Sequence, residues 1–323
     1  MAEHLSVSER RRDLTADERE RLRAAVDPAA TLVGVQALVG GVDTATYALR
    51  LVRPGPSPRG RDVVVRVFRG WKGDVAAAVR GEYATLEAVS AATPLAPRPV
   101  LCDAAGELIG EPLMVTTMLD GAPLPPTHQP DGWTEQLADA LVAIHGIPPE
   151  RVAGVASDRS AEERLARRLA DPPPRADPLW DEASRVAAEL APRLAGNPPT
   201  LIHGDLWFGN TIWSGGRLSG VVDWAGARIG DPARDVSIAR ADLRLFVGER
   251  SAEVLRARYE AARGALNDLA FWDLLAALDP IRWLEHWVAG YEELGVPLSL
   301  GDARARLERW VRADLAALAR PRS

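Results

Sequence analysis

The sequence lacks the features that disulfide bonding, thiolate metal sites and membrane insertion require. Cys102 is the only cysteine among 323 residues, so neither an intrachain disulfide nor a cysteine-based metal site can form. No apolar run reaches the 18 residues that indicate a membrane-spanning helix. The N-terminal segment is rich in charged residues and lacks the apolar core of a signal peptide. We therefore expect a cytoplasmic protein with no membrane partner.

The chain also lacks a net positive charge. The formal net charge is −6 at pH 7, and Lys72 is the only lysine. Without a basic field, we do not expect a nucleic acid partner. The chain is 47% hydrophobic and 26% charged, which favours one or two substantial cores over disorder. A chain of this length divides naturally into two lobes, and no pattern in it indicates an oligomeric state.

The most informative stretch, LIHGDLWFGNTIWSGGRLSGVVDW, spans residues 201–224. Asp205 and Asn210 are five positions apart, and Asp223 ends the next apolar run. Phosphoryl transfer to a hydroxyl requires a carboxylate to orient the attacking oxygen, and an amide and a second carboxylate to hold Mg²⁺ on the nucleotide phosphates. The protein-kinase catalytic loop has the same five-residue spacing. We predict Asp205 as the catalytic residue, and Asn210 and Asp223 as metal ligands.

The residues after Asn210 predict how the two metal ligands meet. Two apolar segments, 211–213 and 218–222, flank the turn sequence Ser-Gly-Gly and indicate a β-hairpin. Such a hairpin returns the chain to its starting point. It would therefore bring Asp223 back beside Asn210.

These residues resemble the signature of the aminoglycoside phosphotransferase and choline kinase superfamily, which is similar to HGDLxxxN followed by a hairpin and an Asp-Trp pair. The resemblance extends from about Val33 to Arg240. It implies a protein-kinase-like α+β fold with two lobes. Residues 1–118 would form a mostly β N-terminal lobe with one key helix, and residues 119–323 a helical C-terminal lobe. The resemblance further implies a hinge near 117–121, an active site between the lobes, and phosphorylation of a small molecule by ATP with Mg²⁺.

A glycine turn in the first lobe is a candidate phosphate-binding loop. Gly40 and Gly41 lie between two strand-like segments, and glycine lets backbone amides approach a phosphate closely. In the related kinases this position covers the nucleotide phosphates and often has Asn where this chain has Thr44. We predict that Gly41 and Thr44 contact the nucleotide. A plain hairpin turn is the alternative, because Gly-Gly is common there.

A charged residue within a buried strand is the second nucleotide-binding candidate. Arg66 interrupts the run DVVVRVF, and a charge there is costly unless it is paired. Its expected partner is Glu82, in a helix predicted over 75–90. Protein kinases pair a strand lysine, which contacts the phosphates, with a Glu on the next helix. The resemblance thus assigns Arg66 to the phosphates and Glu82 to its support. Lys72 is the alternative cation, and a solvated edge-strand arginine is the other interpretation of Arg66.

The resemblance also places the adenine at the hinge, where backbone groups hold it. By position, Thr117 would offer its carbonyl oxygen and Leu119 its amide. Backbone contacts of this kind leave no side-chain signature. This assignment therefore follows from the resemblance alone.

Other residues are expected to support the site without touching the substrate. Asp231 is predicted to cap a helix with Pro232 in its first turn, and Asp235 to be a buried acceptor that braces the catalytic loop. His203 is expected to brace the same loop, with a proton-carrying role as the alternative. His145 is expected to cap carbonyl groups at the end of its helix.

The C-terminal part of the chain indicates the kind of acceptor. Residues 241–323 hold 13 acidic and 12 basic side chains, whereas a pocket for a polycationic aminoglycoside needs uncompensated carboxylates. Trp283, Trp287 and Tyr291 recur every four residues, as either a helix-packing stripe or a wall of the acceptor pocket. Aromatic faces suit sugar rings, nucleobases and apolar scaffolds. We therefore expect a neutral or weakly charged hydroxylated acceptor.

The predicted function is phosphorylation, and hence inactivation, of an antibiotic or other natural product of nucleoside or glycosylated type. A metabolic kinase acting on choline, homoserine or a sugar is the alternative within the enzymes. A pseudokinase that binds nucleotide without catalysis is the alternative from another class, with Arg66 and Thr44 as signs of lost activity. Mg²⁺-dependent release of ADP with a panel of acceptors would separate the three.

Overall fold

The computed structural model describes residues 12–38, 44–55, 59–69, 73–123, 131–293 and 295–319. The chain falls into two compact units, Met1–Leu119 and Asp120–Ser323. The first is built on an antiparallel sheet and the second is mainly helical. This organisation confirms the predicted protein-kinase-like α+β class.

The described part of the first unit contains five strands and two helices. They are α1 (Ala16–Val26), β1 (Thr31–Ala37), β2 (Ala45–Arg53), β3 (Arg59–Val67), α2 (Val75–Ala92), β4 (Pro99–Asp103) and β5 (Leu113–Thr117). The strands form one sheet in the order β1-β2-β3-β5-β4, and every neighbouring pair is antiparallel. The spacing of Thr15 and Glu18 predicts a capping box, and this box is present at the start of α1.

One face of this sheet forms the core of the first unit. Alternate side chains of β2 and β3 are buried, as the period of two in a strand requires. They are Ala45, Tyr47, Leu49, Leu51, Val63, Val65 and Val67. Leu22 of α1 belongs to the same core. Arg66 therefore points to the opposite face of β3, where it pairs with α2.

The described part of the second unit contains helices, two pairs of short strands and two isolated β-bridges. Its α-helices are α3 (Trp133–His145), α4 (Ala161–Leu169), α5 (Pro178–Leu190), α6 (Pro232–Phe246), α7 (Glu249–Arg263), α8 (Leu269–Glu293) and α9 (Leu300–Leu318). Its strands are β6 (Thr200–Ile202), β7 (Thr211–Ser214), β8 (Arg217–Val221) and β9 (Arg228–Gly230). β6 pairs with β9 and β7 with β8, both antiparallel, and Ala122 adds a bridge to Trp213. No helix in the described ranges is both long and apolar enough to cross a bilayer.

Helix α8 corrects one expectation from the sequence. The sequence predicts separate helices over 266–278 and 281–294, whereas residues 269–293 form one helix with a kink. Pro280 lies inside it, and Trp283 has non-helical backbone angles, φ −117° and ψ 24°. Trp283 is 47% exposed, whereas Tyr291 is 5% exposed. The kink breaks the helical spacing, so the three predicted aromatic rings do not form one packed stripe.

A buried ionic network joins three helices of the second unit. Arg240 and Arg244 of α6 both donate to the carboxylate of Asp273 in α8, and Arg244 also donates to Asp314 in α9. All four side chains are largely buried. Each charge is therefore compensated inside the helical core, as burial requires.

Candidate active site

The predicted catalytic loop, residues 203–210, follows β6, and Asp235 of α6 hydrogen-bonds to its first two residues. One carboxylate oxygen of Asp235 accepts from the amide of His203 at 2.6 Å, and the other accepts from the amide of Gly204 at 2.6 Å. Hydrogen bonding from His145 keeps the pKa of this fully buried carboxyl below its ordinary value, although burial opposes ionisation. Asp235 thus braces the loop as the sequence predicts. Asp231 caps α6 with Pro232 at its first turn, also as predicted.

Gly204 allows the loop to turn in a confined space. Its φ is +84°, a conformation that residues with side chains rarely adopt. A β-carbon at this position would overlap the carbonyl oxygen of Gly226. The HGD sequence therefore needs glycine here for both conformation and space.

His203 connects the backbone of Asp205 to the backbone of Val222, next to Asp223. Its Nε2 lies 3.0 Å from the carbonyl oxygen of Val222, so Nε2 carries the proton and Nδ1 accepts from the amide of Asp205 at 3.3 Å. Burial lowers the pKa of this ring, which favours the neutral form. Trp224 packs against the ring edge to face. These contacts agree with the bracing role expected for His203.

His145 has a different role from the one expected. Its Nε2 lies 3.2 Å from Asp235 and its Nδ1 lies 2.8 Å from the hydroxyl of Tyr259. The imidazole is buried at the end of α3 and binds side chains of other helices. It therefore supports the carboxylate that braces the loop, and the prediction that it caps carbonyl groups was wrong.

Asp205 and Asn210 are in direct contact. The amide nitrogen of Asn210 donates to the carbonyl oxygen of Asp205 at 2.9 Å and to its carboxylate at 3.1 Å. The side chain of Asp205 is exposed to solvent, but many protein atoms surround its carboxyl group and desolvate it. This desolvation, together with the negative charge of Asp223, raises the pKa of the Asp205 carboxyl to about 7. Both contacts come from the amide nitrogen of Asn210, so its amide oxygen is the atom that could bind a metal ion.

The predicted hairpin is present and carries Asp223 to Asn210. The amide of Val222 donates to the carbonyl oxygen of Asn210 at 2.9 Å, and Thr211 pairs with Val221. Asp223 is in the left-handed conformation, with φ 64° and ψ 62°, which Asp tolerates better than most residues. Such strained backbone is often found at functional sites.

The chemistry of the donor set fits a magnesium ion bound together with phosphate. The carboxylate of Asp223 and the amide oxygen of Asn210 are the hard oxygen ligands that Mg²⁺ prefers. Within the described ranges, no group of three or more His, Cys, Asp or Glu side chains forms a metal site by itself. A magnesium ion at this hairpin would therefore need phosphate and water oxygens as further ligands, as is usual for ATP-dependent enzymes.

The first unit holds the predicted nucleotide-binding pair. Arg66 of β3 donates to the carboxylate of Glu82 in α2, and its guanidinium lies 5.5 Å from the ring centroid of Phe68. Thr44 is buried at the start of β2. Gly41 and the alternative cation Lys72 lie outside the described residues.

The predicted hinge residues lie at the end of β5. Thr117 is its last residue: its amide donates to the carbonyl oxygen of Arg98 at 2.8 Å, and its hydroxyl accepts from the Arg98 amide at 2.9 Å. Leu119 is the last residue of the first unit. The adenine contacts assigned to Thr117 and Leu119 remain predictions.

Arg66→Ala is expected to weaken ATP binding by about 10-fold or more and to weaken AMP binding less, because the lost hydrogen bonds go to phosphates. Calorimetric titration with both nucleotides measures this. Arg50→Ala is the matched control, since Arg50 is an exposed arginine of the same sheet and pairs with Asp62. If Arg66→Ala has no effect and Lys72→Ala weakens ATP binding, the phosphate-binding cation is Lys72.

Asp242 is a buried acid beside the catalytic loop that the sequence analysis missed. It lies two helical turns after Asp235 on the same face of α6, and it is 2% exposed. Burial raises the pKa of the Asp242 carboxyl well above its ordinary value. The amide of Phe208 points toward this carboxyl, but neither carboxyl oxygen makes a well-formed hydrogen bond within the described structure. The only signal in the sequence is the spacing of seven from Asp235.

Aromatic rings surround this part of the loop. Tyr291 of α8 lies 5.3 Å from Trp207 and 5.2 Å from Phe208 between ring centroids, and it stacks on Phe246 of α6. Trp207 is partly exposed, whereas the other three rings are buried. The residues immediately after Asp205 are thus anchored to α6 and α8 by ring contacts.

Comparison with known proteins assigns this chain to an enzyme family. The profile described as "Phosphotransferase enzyme family" matches residues 34–275, and the chain belongs to this family. It is therefore a small-molecule kinase that transfers phosphate to a hydroxyl. A 57-residue segment is 42% identical to Protein StrN of Streptomyces griseus, but it spans only 18% of this chain and 17% of that protein.

Solved structures share the fold at low sequence identity. A thermostable mutant of aminoglycoside phosphotransferase APH(4)-Ia, in ternary complex with AMP-PNP and hygromycin B, is 17% identical, with a TM-score of 0.64 over 92% of this chain and 99% of that one. The macrolide 2'-phosphotransferase MphH from Brachybacterium faecium is 20% identical, with a TM-score of 0.54 over 93% and 99%. A choline/ethanolamine kinase family protein from Mesorhizobium loti is 20% identical, with a TM-score of 0.59 over 93% and 94%.

Proposed function

We propose that this kinase uses ATP and Mg²⁺ to phosphorylate a hydroxyl group of an antibiotic or other natural product of nucleoside or glycosylated type. The observation that carries the proposal is the contact between Asp205 and Asn210, with Asp223 returned beside Asn210 by the hairpin. An orienting carboxylate beside an amide and a second carboxylate is the arrangement that phosphoryl transfer from a nucleotide needs.

In the proposed reaction Asp205 accepts a hydrogen bond from the acceptor hydroxyl and directs its oxygen toward the γ-phosphorus. The transition state is loose, so the hydroxyl proton leaves late and Asp205 receives it then. Desolvation, the largest cause of its raised pKa, makes this carboxyl a better proton acceptor than an ordinary carboxylate. Asn210 and Asp223 would hold Mg²⁺, which supplies neutralisation of the phosphate charge when it is bound. Positioning and electrostatics account for the catalysis.

The charges of the second unit support an acceptor with little positive charge. In α7, α8 and α9, most acidic side chains already have arginine partners. Such pairs include Asp273, Asp314, Glu249 and Glu253 with Arg240 or Arg244, and Glu260 with Arg256. These carboxylates are not available to several ammonium groups at once. Trp283 is exposed, and the guanidinium of Arg282 lies 4.4 Å from its ring centroid, so this aromatic surface lies beside a positive charge and not a carboxylate.

The test is a comparison of kcat/KM for four kinds of acceptor: nucleoside, macrolide, kanamycin-like and choline-like compounds. We expect the best acceptor to be a nucleoside or a glycosylated natural product, and aminoglycosides to be poor substrates. Turnover of kanamycin with kcat/KM of about 10⁴ M⁻¹s⁻¹ or above would contradict the expected acceptor class. Exclusive turnover of choline, homoserine or a sugar would favour the metabolic alternative. Mg²⁺-dependent nucleotide binding without turnover of any acceptor would favour the pseudokinase.

A further inference from the structure

Arg234 of α6 reaches the backbone of the catalytic loop. Its Nη2 donates to the carbonyl oxygen of Gly204 at 3.0 Å. The same peptide group is held at its other end, because the amide of Asp205 donates to Nδ1 of His203. A peptide group is planar, so two hydrogen bonds at opposite ends fix its orientation. That peptide leads directly into the Cα of Asp205.

Arg234 is itself positioned by Asp158, which precedes α4. Nη1 of Arg234 lies 3.7 Å from a carboxylate oxygen of Asp158, which is an ion-pair distance without a hydrogen bond, and both side chains are largely buried. Arg164 of α4 donates two hydrogen bonds to the same carboxylate. Asp158 therefore lies between the guanidinium groups of Arg164 and Arg234. Within the described residues, only Arg234 contacts Gly204.

The backbone around Asp158 is anchored to the strand that pairs with β6. Its amide donates to the carbonyl oxygen of Ile229 at 2.8 Å, and Ile229 donates back to Ala156 at 2.9 Å. A β-carbon on Gly230 would lie 2.7 Å from the Cβ of Asp158, so the two segments pass very closely. The Asp158 carboxylate thus has a well-defined place relative to the catalytic loop.

Electrostatics explain why Arg234 needs Asp158. Burial lowers the pKa of Arg234, and the neighbouring charge of Arg164 lowers it further, while Asp158 and Asp235 act in the opposite direction. Without the carboxylate, two like charges would face each other in a region with little water. Arg234 would then be pushed away from the carbonyl of Gly204.

We propose that Arg234 and Asp158 are positioning residues of the catalytic loop, which together fix the Gly204–Asp205 peptide and so aim the Asp205 carboxylate at the acceptor hydroxyl. The proposal rests on the proposed function of Asp205. Neither residue touches the reacting atoms. Their loss should therefore act on kcat and not on substrate binding, because small errors in the position of a reacting group are costly.

The test compares four variants with the wild-type enzyme on its best acceptor. We expect Arg234→Gln to lower kcat by about 10²-fold and Asp158→Asn by about 10-fold, with both KM values within about threefold. Arg234→Lys keeps the charge but loses the planar fork, so it should lower kcat by about 10-fold. Arg164→Gln is the matched comparison, since it removes a partner of Asp158 without touching Gly204, and should change kcat by less than about threefold.

The double variant Arg234→Gln with Asp158→Asn should be no slower than Arg234→Gln alone, because both substitutions break one connection. Denaturant unfolding of each variant identifies any that do not fold. If Arg234→Gln does not fold, the kcat values of Arg234→Lys and Asp158→Asn decide the test. Equal losses from Arg164→Gln and Arg234→Gln, full activity of Arg234→Lys, or an effect on KM alone would overturn the inference while leaving the proposed function intact. A wild-type enzyme with no turnover on any acceptor would overturn the proposed function and this inference with it.

Discussion

Asp205→Ala is expected to lower kcat by about 10³-fold or more while changing the affinity for Mg·ATP by less than about threefold. The carboxylate of Asp205 is proposed to face the acceptor hydroxyl, so its removal eliminates the group that orients the nucleophile. Its contacts to Asn210 come from one amide nitrogen, which keeps its bond to the Asp205 carbonyl oxygen in the variant. The amide oxygen of Asn210, the proposed metal ligand, should therefore be preserved.

Steady-state kinetics and calorimetric titration with Mg·ATP measure the two quantities separately. Asp139→Ala is the control, because Asp139 is exposed on α3 and pairs with Arg258 on the surface. It should leave both quantities unchanged. If Asp205→Ala loses nucleotide affinity as strongly as turnover, Asp205 acts as a metal ligand and the assignment is wrong.

Asp223→Asn is expected to raise the Mg²⁺ concentration required for half-maximal activity by on the order of 10-fold or more. A neutral amide is a poorer ligand for a hard divalent cation than a carboxylate. Asn also tolerates the left-handed conformation found at Asp223, so the substitution changes the ligand and not the backbone. High Mg²⁺ should restore part of the lost rate.

Activity measured against Mg²⁺ at saturating ATP tests this expectation. Asp268→Asn is a matched control: Asp268 has φ 57°, and its side chain accepts from the amides of Ala195 and Gly196. That variant should show the wild-type Mg²⁺ requirement. An unchanged requirement in Asp223→Asn would mean that Asp223 does not bind the metal ion.

Local patterns in the sequence were sufficient for much of the fold. The capping box at Thr15 and the hairpin after Asn210 were both predicted correctly. Each depends on contacts between residues that are close in the chain, where spacing and residue type decide the geometry. The kink in α8 was missed, because Pro280 can either end a helix or bend one, and tertiary packing selects between the two.

The candidate site also has features that the sequence predicts and features that tertiary packing decides. The spacing of Asp205, Asn210 and Asp223 is visible in one stretch of sequence, because a loop and a hairpin bring these residues together locally. The pairing of Arg66 with Glu82 was also predicted, since a charge within a buried strand requires a partner.

Only the tertiary structure decided which distant side chains support the loop. Arg234 meets the carbonyl of Gly204, 30 positions away in the chain, and Asp158 meets Arg234 across a still longer separation. His145 meets Asp235 over 90 positions, and it does so instead of capping its own helix. Such contacts follow from how α3, α4, α6 and β6 pack, and neither periodicity nor spacing along the chain encodes that packing. The sequence by itself therefore determined the fold class and the chemical groups of the site, whereas the packing of helices determined how those groups are held.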